Sequence, residues 1–224
     1  MLDNVTPFKI PTKGIYFLSL GGIGEIGANC YLYCCDGKWL MIDLGLTFAD
    51  ENFPGIDLLL PKIDFIDKIS ENLEAVIISH GHEDHAGALA FFADKIDCKV
   101  YATGFARSLI ENRLKEFGSL DKVELITIDS SKNIKLQNFD ISFIATTHSI
   151  PEPQAISIKT SYGTLLHTAD WKIDKNPSIG KNFNVDDFKK LGNEGLLALI
   201  GDSTNADVPG FSQSESEVRE ELIK

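Results

Sequence analysis

The sequence lacks any apolar run of the roughly 18 residues that a membrane-spanning helix needs. Cysteine is scarce, and Cys30, Cys34, Cys35 and Cys98 include no C-x-x-C pair, so no disulfide framework is predicted. Residues 1–7 hold neither a basic segment nor an apolar stretch, which argues against a secretory signal. We therefore expect a cytoplasmic protein that is not membrane-bound and whose cysteines are reduced and buried.

Positive charge is also in short supply. Lysine and arginine number 21 against 33 aspartates and glutamates, which gives a formal net charge of −12. This balance counts against a nucleic-acid partner, since such proteins usually carry a basic surface. The 224 residues are 43% hydrophobic and 24% charged, values typical of a globular chain with a core. Neither an internal repeat nor a low-complexity tract interrupts the chain, so one continuous unit is predicted.

Short apolar runs alternate with helical patterns along the chain. The runs predict strands at 15–20, 30–35, 38–43, 74–79, 98–102, 123–128, 134–137, 140–146, 155–160, 164–168 and 197–201. Apolar residues at helical spacing predict helices at 62–69, 86–93, 105–117, 185–191 and 215–223. This alternation indicates an α/β architecture of mixed sheets covered by helices.

The segment from Gly22 to Gly27 reads G-x-G-x-x-G and follows a predicted strand, as a dinucleotide-binding site requires. Such a site also needs a helix to begin there, so that its amide groups face the pyrophosphate. Residues 28–35 are instead rich in β-forming side chains. A hairpin connection is therefore favoured, and a dinucleotide-binding oxidoreductase is a remote alternative.

Histidine is rare, yet three of the five histidines fall in the segment His80-Gly81-His82-Glu83-Asp84-His85. The segment follows a predicted buried strand and precedes a predicted helix, at the carboxyl end of the strand where α/β proteins place their sites. Residues two apart in extended backbone project the same way, so His80 and His82 can hold one ion together. Asp84 and His85 fall at the turn into the helix and point towards a neighbouring ion. Imidazoles and carboxylates suit zinc or manganese.

Further ligands are expected from other strand ends. His148 and Asp170 each follow a strand-like run, as His80 does. The two oxygens of Asp170 can bridge two ions about 3.5–4 Å apart, the spacing of two-metal hydrolytic sites. His167 lies three residues before Asp170, so strand alternation places it on the opposite face, and we interpret it as structural.

These residues resemble the signature of the metallo-β-lactamase superfamily. The histidine-rich segment resembles its second motif, Asp43 within residues 41–45 its first, His148 its third and Asp170 its fourth. A narrower resemblance is to the ribonuclease J family, of the β-CASP branch. It is carried by the segments 21–29, 53–57, 147–153, 167–174 and 201–206.

The resemblance implies a metallo-β-lactamase-type αββα sandwich and two divalent cations, zinc or alternatively manganese. The implied ligands are His80, His82 and His148 for one cation and Asp84 and His85 for the other, with Asp170 bridging. Asp43 is implied to brace the metal loop through hydrogen bonds. Either Asp84 or Asp170 is expected to orient the attacking hydroxide.

The implied activity is hydrolysis of RNA, both endonucleolytic and 5′-to-3′ exonucleolytic, in RNA maturation, including rRNA processing, and decay. The full-length protein is expected to form a homo-oligomer. Family members are more than twice as long as this chain. Residues 1–207 are therefore expected to form the amino-terminal part of the metallo-β-lactamase domain, and residues 208–224 the start of a β-CASP insertion. On that basis the sandwich is incomplete and the fragment inactive.

Two other functions remain as alternatives. One is a small-ester or thioester metallohydrolase of the same superfamily. The other is a non-catalytic, metal-stabilised subunit of an RNA-processing assembly.

Overall fold

The computed structural model of the chain describes residues 9–224. Residues 1–7, on which the prediction of no secretory signal rests, lie outside the described residues. The first of two main sheets has the strand order β1-β2-β3-β6-β7-β8. Its strands are β1 (Ile15–Gly21), β2 (Cys30–Cys35), β3 (Lys38–Ile42), β6 (Leu73–Ile78), β7 (Lys99–Ala102) and β8 (Leu125–Thr127). A separate two-stranded ribbon joins β4 (Thr47–Phe48) to β5 (Leu58–Leu59).

The second sheet has the strand order β13-β12-β11-β10-β9. Its strands are β9 (Ile134–Lys135), β10 (Asp140–Ala145), β11 (Gln154–Thr160), β12 (Gly163–His167) and β13 (Ala198–Ile200). The α-helices are α1 (Ile66–Ile69), α2 (Glu83–Ala86), α3 (Gly104–Glu116), α4 (Val185–Glu194) and α5 (Glu215–Ile223). Short 3₁₀ helices span Ser70–Asn72, Leu89–Lys95 and Leu120–Lys122.

Strand β3 shows how the layers are built. Alternate side chains of a strand point to opposite faces, and both faces of β3 are buried. Trp39 and Met41 pack with the helices, whereas Leu40 and Ile42 pack against the second sheet. The first sheet therefore lies between a helical layer and the second sheet. Neither α4 nor α5 has a buried residue, so both lie at the surface. The predicted α/β layered architecture is confirmed.

Strand direction determines where the polar loops meet. In the first sheet, β3, β6 and β7 run parallel to one another. In the second sheet, β10 and β12 are both antiparallel to β11, so they share one direction. The carboxyl ends of parallel strands lie at one edge of a sheet. The loops that follow β3, β6 and β7 therefore lie at one edge of the first sheet, and those that follow β10 and β12 lie at one edge of the second sheet.

The predicted helix at 86–93 is wrong in its extent. It is replaced by α2, which ends at Ala86, and by the 3₁₀ helix Leu89–Lys95. The Ala88 N–H bonds to the carbonyl oxygen of Leu44 at 3.0 Å, so it is not available to continue α2. The helix predicted at 62–69 is also shorter, because only Ile66–Ile69 is helical. The β4–β5 ribbon was not predicted, since strands of two residues carry no readable period.

The glycine-rich segment lies between β1 and β2, which pair antiparallel from Ile15–Cys35 to Gly21–Cys30. The hairpin interpretation is therefore confirmed. All four cysteines are free: Cys98 is half-buried and the other three are buried. Within residues 9–224, no helix combines the length and the apolar character needed to cross a membrane.

Candidate metal centre

Strand β6 and helix α2 deliver the histidine-rich segment. His80 is fully buried two residues after β6, and His82 has the extended backbone of the residue that begins α2, with φ −66° and ψ 150°. Asp84 and His85 then lie within α2 itself, a helix of four residues. This change from extended to helical backbone separates the directions of the first two histidines from those of the last two residues.

The second sheet supplies the other two predicted ligands. His148 follows β10 and Asp170 follows β12, so both loops come from strands that run the same way. A β-bridge between Thr147 and Lys172 ties the two loops together, and the Lys172 N–H donates to the Thr147 carbonyl oxygen at 2.8 Å. The two loops are therefore joined by backbone hydrogen bonding.

His80, His82 and His148, here called the histidine group, come together with one ring nitrogen each within 4.8 Å of the others. The Nε2 atom of His80 lies 3.1 Å from Nδ1 of His82. The three rings are nearly perpendicular in pairs, at 77°, 84° and 80°. This arrangement directs three imidazole nitrogens at one point.

Asp84, His85 and Asp170, here called the mixed group, lie next to the histidine group. Nε2 of His85 is 3.2 Å from Oδ1 of Asp170 and 3.5 Å from Oδ2 of Asp84. The other oxygen of Asp170, Oδ2, is 3.4 Å from Nε2 of His148. Asp170 therefore faces the mixed group with one oxygen and the histidine group with the other. His80 is shared as well, because it also has a ring nitrogen within 4.8 Å of ligand atoms of His85 and Asp170.

The spacing and the chemistry of these atoms fit divalent cations. Two ligand atoms bound tetrahedrally to zinc at 2.0–2.1 Å are about 3.3 Å apart. The 3.1 Å between His80 and His82 and the 3.4 Å between His148 and Asp170 are close to that value. Imidazole nitrogens and carboxylate oxygens are the ligand types that zinc and manganese take. The residues present can therefore hold two cations that share Asp170.

Asp43 braces this region from the carboxyl end of β3. Its Oδ1 accepts from the Ser79 N–H at 2.7 Å, and its Oδ2 accepts from the Ser79 hydroxyl at 2.9 Å. Oδ2 also lies 2.8 Å from Nδ1 of His85, and the Ser79 hydroxyl lies 3.0 Å from Nδ1 of His80. Each Nδ1–H is thereby held by an oxygen atom, which leaves Nε2 of both rings to face the centre. Asp43 has φ +62°, a left-handed conformation that aspartate tolerates better than most residues.

Burial governs the electrostatics of the histidine group. It lowers the pKa of His80 well below the ordinary value, and the charges of His85, His82 and His148 act in the same direction. Burial likewise lowers the pKa of His82 and of His148, although nearby carboxylates oppose the shift. These imidazoles are therefore neutral at pH 7, which is the form that binds a cation.

In the mixed group, neighbouring charges outweigh burial in setting the pKa values. Burial acts to lower the pKa of His85, but the Asp43 carboxylate, together with Asp170, outweighs it and raises this pKa to about 10. For Asp170, burial acts to raise the pKa, yet the hydrogen bond and charge of His85, with His148 and His82, hold it below its usual range. A proton on His85 thus balances the carboxylates in the metal-free chain, in the position that a cation would take.

His167 takes part in neither group. It is buried, with Nδ1 at 2.8 Å from the Tyr33 hydroxyl, and its ring lies 4.9 Å from that of Tyr31. Burial lowers the pKa of His167 to about 4.

A family profile described as the metallo-beta-lactamase superfamily matches residues 23–171. The chain belongs to the metallo-β-lactamase superfamily. Members of this superfamily use divalent metal ions, and the matched range contains every predicted ligand from His80 to Asp170. The fold class expected from the resemblance is confirmed.

Known proteins confirm the narrower resemblance. Ribonuclease J of Sinorhizobium meliloti is 41% identical over 214 residues, which cover 94% of this chain and 38% of that protein. Ribonuclease J2 of Bacillus subtilis is 34% identical over 214 residues, covering 96% of this chain and 39% of that protein. This superfamily member therefore spans less than half the length of the ribonucleases it resembles.

One solved structure extends the comparison to the fold. A crystal structure of a protein of unknown function from Enterococcus faecalis V583 matches with a TM-score of 0.63 at 15% identity. The match covers 92% of this chain and 56% of that chain. At this identity the likeness shows a shared fold alone.

Ser79 and Asn29 of this superfamily member also contact the candidate ligands, and neither residue was predicted from the sequence. Ser79 connects Asp43 to His80, as described above. Asn29 Nδ2 lies 3.3 Å from Oδ2 of Asp84 and 3.1 Å from Nε2 of His85, although 55 residues separate Asn29 from Asp84. The position of Ser79 directly before the histidine motif was the signal available for it. Asn29 comes two residues after the glycine-rich segment, and no local pattern there indicated this contact.

Proposed function

We propose that this chain carries the metal centre of a ribonuclease that hydrolyses RNA phosphodiester bonds with two divalent cations, zinc or alternatively manganese. The observation that carries the proposal is Asp170, whose two oxygens face two adjacent ligand groups 3.2 and 3.4 Å away. The 41% identity to ribonuclease J supports RNA as the substrate. The ligand roles proposed for the histidine group and the mixed group are those implied by the resemblance.

Cations bound there would supply Lewis-acid chemistry, which polarises the scissile phosphate and lowers the pKa of a water molecule towards 7. Asp170 and Asp84 would both face that water. Both oxygens of Asp170 already meet histidines, whereas Asp84 meets Asn29 and His85 through Oδ2. The Asp84 side chain is also 34% exposed. We therefore propose Asp84 as the group that accepts a hydrogen bond from the attacking water and orients it, with Asp170 holding the two groups together.

The finer features follow from the resemblance and belong to the same proposal. They are endonucleolytic and 5′-to-3′ exonucleolytic cleavage, a role in RNA maturation and decay, a cytoplasmic location, and homo-oligomerisation of the whole protein. The boundary near residue 207 and the start of a β-CASP insertion beyond it are likewise proposed. Because the chain spans 38–39% of the length of its relatives, we expect the 224-residue chain to bind cations without cleaving RNA.

The test uses the protein as its whole gene encodes it. The purified protein is incubated with 5′-monophosphorylated RNA and Zn²⁺ or Mn²⁺, beside its His82→Ala variant and an Asp64→Asn control. Asp64 is exposed and lies 3.7 Å from Lys62, so its change should not alter the rate. We expect cleavage by the wild type and the control only. Cleavage that survives His82→Ala would overturn the proposal.

The same preparation separates the alternatives. Turnover of a small ester or thioester without RNA cleavage would favour another metallohydrolase of the superfamily. Binding of RNA without cleavage, whichever metal is supplied, would favour a non-catalytic subunit.

A further inference from the structure

The glycine-rich hairpin loop between β1 and β2 lies against the mixed group. Its last residue, Asn29, is joined to two other loops through its backbone. The Asn29 N–H donates to the Asp84 carbonyl oxygen at 3.0 Å, and the Gly45 N–H donates to the Asn29 carbonyl oxygen at 2.9 Å. A segment that resembled a nucleotide-binding motif is thus part of the wall of the metal centre.

The side chain of Asn29 points at ligand atoms. Its Nδ2 lies 3.0 Å from the carbonyl oxygen of Asp84, 3.3 Å from Oδ2 of Asp84 and 3.1 Å from Nε2 of His85. Asn29 is 9% exposed, so little water competes for these contacts. An amide nitrogen donates but does not accept, so it can hold the oxygen atoms of Asp84 in one orientation.

Tyr31 determines which way the Asn29 amide faces. The Tyr31 hydroxyl donates to Oδ1 of Asn29 at 2.7 Å and lies 3.1 Å from the Gly22 carbonyl oxygen. With the amide reversed, the oxygen of Asn29 would face the carboxylate of Asp84 and repel it. The hydroxyl therefore keeps the donor side of the amide towards the mixed group.

Gly22 makes room for this arrangement. It has φ +80°, and a Cβ atom there would overlap Oδ1 of Asn29 and the hydroxyl of Tyr31. An L-residue at this position would be strained in its backbone and would also separate the two side chains. The glycine is therefore explained by the packing of Asn29 and Tyr31 rather than by the approach of a phosphate.

We propose that Asn29 is a positioning residue for the second cation: held by Tyr31 and Gly22, it orients Asp84 towards the site that Asp84 shares with His85. This inference rests on the proposed two-cation centre but concerns cation binding, not RNA cleavage. Residues that orient metal ligands in this way typically change metal affinity by about 10–100-fold when they are removed. The histidine group has no contact with Asn29 among the contacts of the described residues, so its cation should be unaffected.

The experiment titrates the metal-free 224-residue chain with Zn²⁺ and, separately, with Co²⁺, which reports ligand geometry through its visible absorption. For Asn29→Ala, we expect the dissociation constant of the more weakly bound cation, assigned to the mixed group, to rise by about 10–100-fold. The dissociation constant of the more tightly bound cation, assigned to the histidine group, should change by less than about 2-fold. Tyr31→Phe removes one oxygen atom and should raise the weaker constant by about 10-fold or less. The absorption of Co²⁺ bound at the histidine group should be the same in the wild-type chain and in both variants.

Asn138→Ala is the matched control, because its Nδ2 donates to the Cys35 carbonyl oxygen at 2.9 Å, away from the metal centre. It should leave both constants unchanged. An Asn29→Ala chain with wild-type constants, or with both constants weakened equally, would overturn the proposal. A wild-type chain that binds a single cation would overturn it too. If Asn29→Ala does not fold, Tyr31→Phe decides, and unchanged constants there would also count against it. Loss of RNA cleavage alone bears on the proposed function and not on this inference.

Discussion

The histidine group and the mixed group share Asp170 but differ in charge. The three imidazoles of the histidine group have lowered pKa values and are neutral at pH 7. In the mixed group, Asp43 and Asp170 raise the pKa of His85 to about 10 against the effect of burial. A cation entering the mixed group must therefore displace a proton, whereas one entering the histidine group need not. We expect the histidine group to bind its cation more tightly.

Asp170→Asn should have the largest effect, because it changes the one residue that faces both groups. An amide nitrogen cannot replace a coordinating carboxylate oxygen. We expect RNA cleavage by the whole gene product to fall by about 10³-fold, the several kcal/mol that a metal site supplies. Single-turnover kinetics at saturating metal measure this change. Asp64→Asn is the control, and a rate for Asp170→Asn equal to that of the control would remove Asp170 from the mechanism.

His82→Ala should separate the two groups, since His82 belongs to only one of them. The tighter-bound cation should be weakened by more than about 100-fold, beyond the range of residues that only orient ligands. The weaker-bound cation should be retained. Equilibrium dialysis of the 224-residue chain against buffered Zn²⁺ measures both. If the weaker constant changes instead, the assignment of affinities to the two groups is reversed.

Asp43→Asn should act on both groups, and more strongly on the mixed group. Asp43 touches His85 directly but reaches His80 only through Ser79. We expect about 10–100-fold weaker binding of the second cation and a smaller change for the first. In the metal-free protein, loss of the carboxylate should also lower the pKa of His85, which NMR titration of the imidazole detects. An unchanged His85 pKa would contradict the role given to Asp43.

His167→Gln should have the smallest effect at neutral pH, because His167 lies outside both groups. Burial lowers its pKa to about 4, below the value of about 6.5 in an unfolded chain. Between those values the unfolded state binds the proton and the folded state does not, so stability falls as pH falls from 6.5 to 4. The wild type should lose about 3 kcal/mol more than the variant over that range. Urea unfolding in EDTA measures this, and equal losses would refute it.

The cluster of candidate metal ligands could be predicted because its signal is local. His80 and His82 come two and four residues after the buried β6, so a strand end and two candidate ligands on one face are both visible within a few residues. The strands around it were also predictable, since each is a short apolar run closed by a polar residue or glycine. The end of α2 was not predictable, because it depends on the bond from the Ala88 N–H to Leu44.

The contact between Asn29 and Asp84 could not be predicted either, because it too joins residues that are far apart in the chain. Nothing near Asn29 in the chain marks it as a neighbour of a residue 55 positions away. The glycine pattern around Gly22 even pointed to a different chemistry. Only the geometry shows that the glycine accommodates Tyr31 and Asn29.

The order of residues by itself determined which side chains are available for metal chemistry and which strand ends carry them, because hydrophobic periodicity and motif spacing act over a few residues. Tertiary structure alone decided how those side chains pair. The parallel directions of β10 and β12 bring His148 and Asp170 together. The buried carboxylate of Asp43 lies beside His85 and determines the charge of His85. The pairing of His148 with Asp170 and the charge of His85 both depend on contacts through space. The strength of an electrostatic interaction varies with distance and burial, not with separation along the chain.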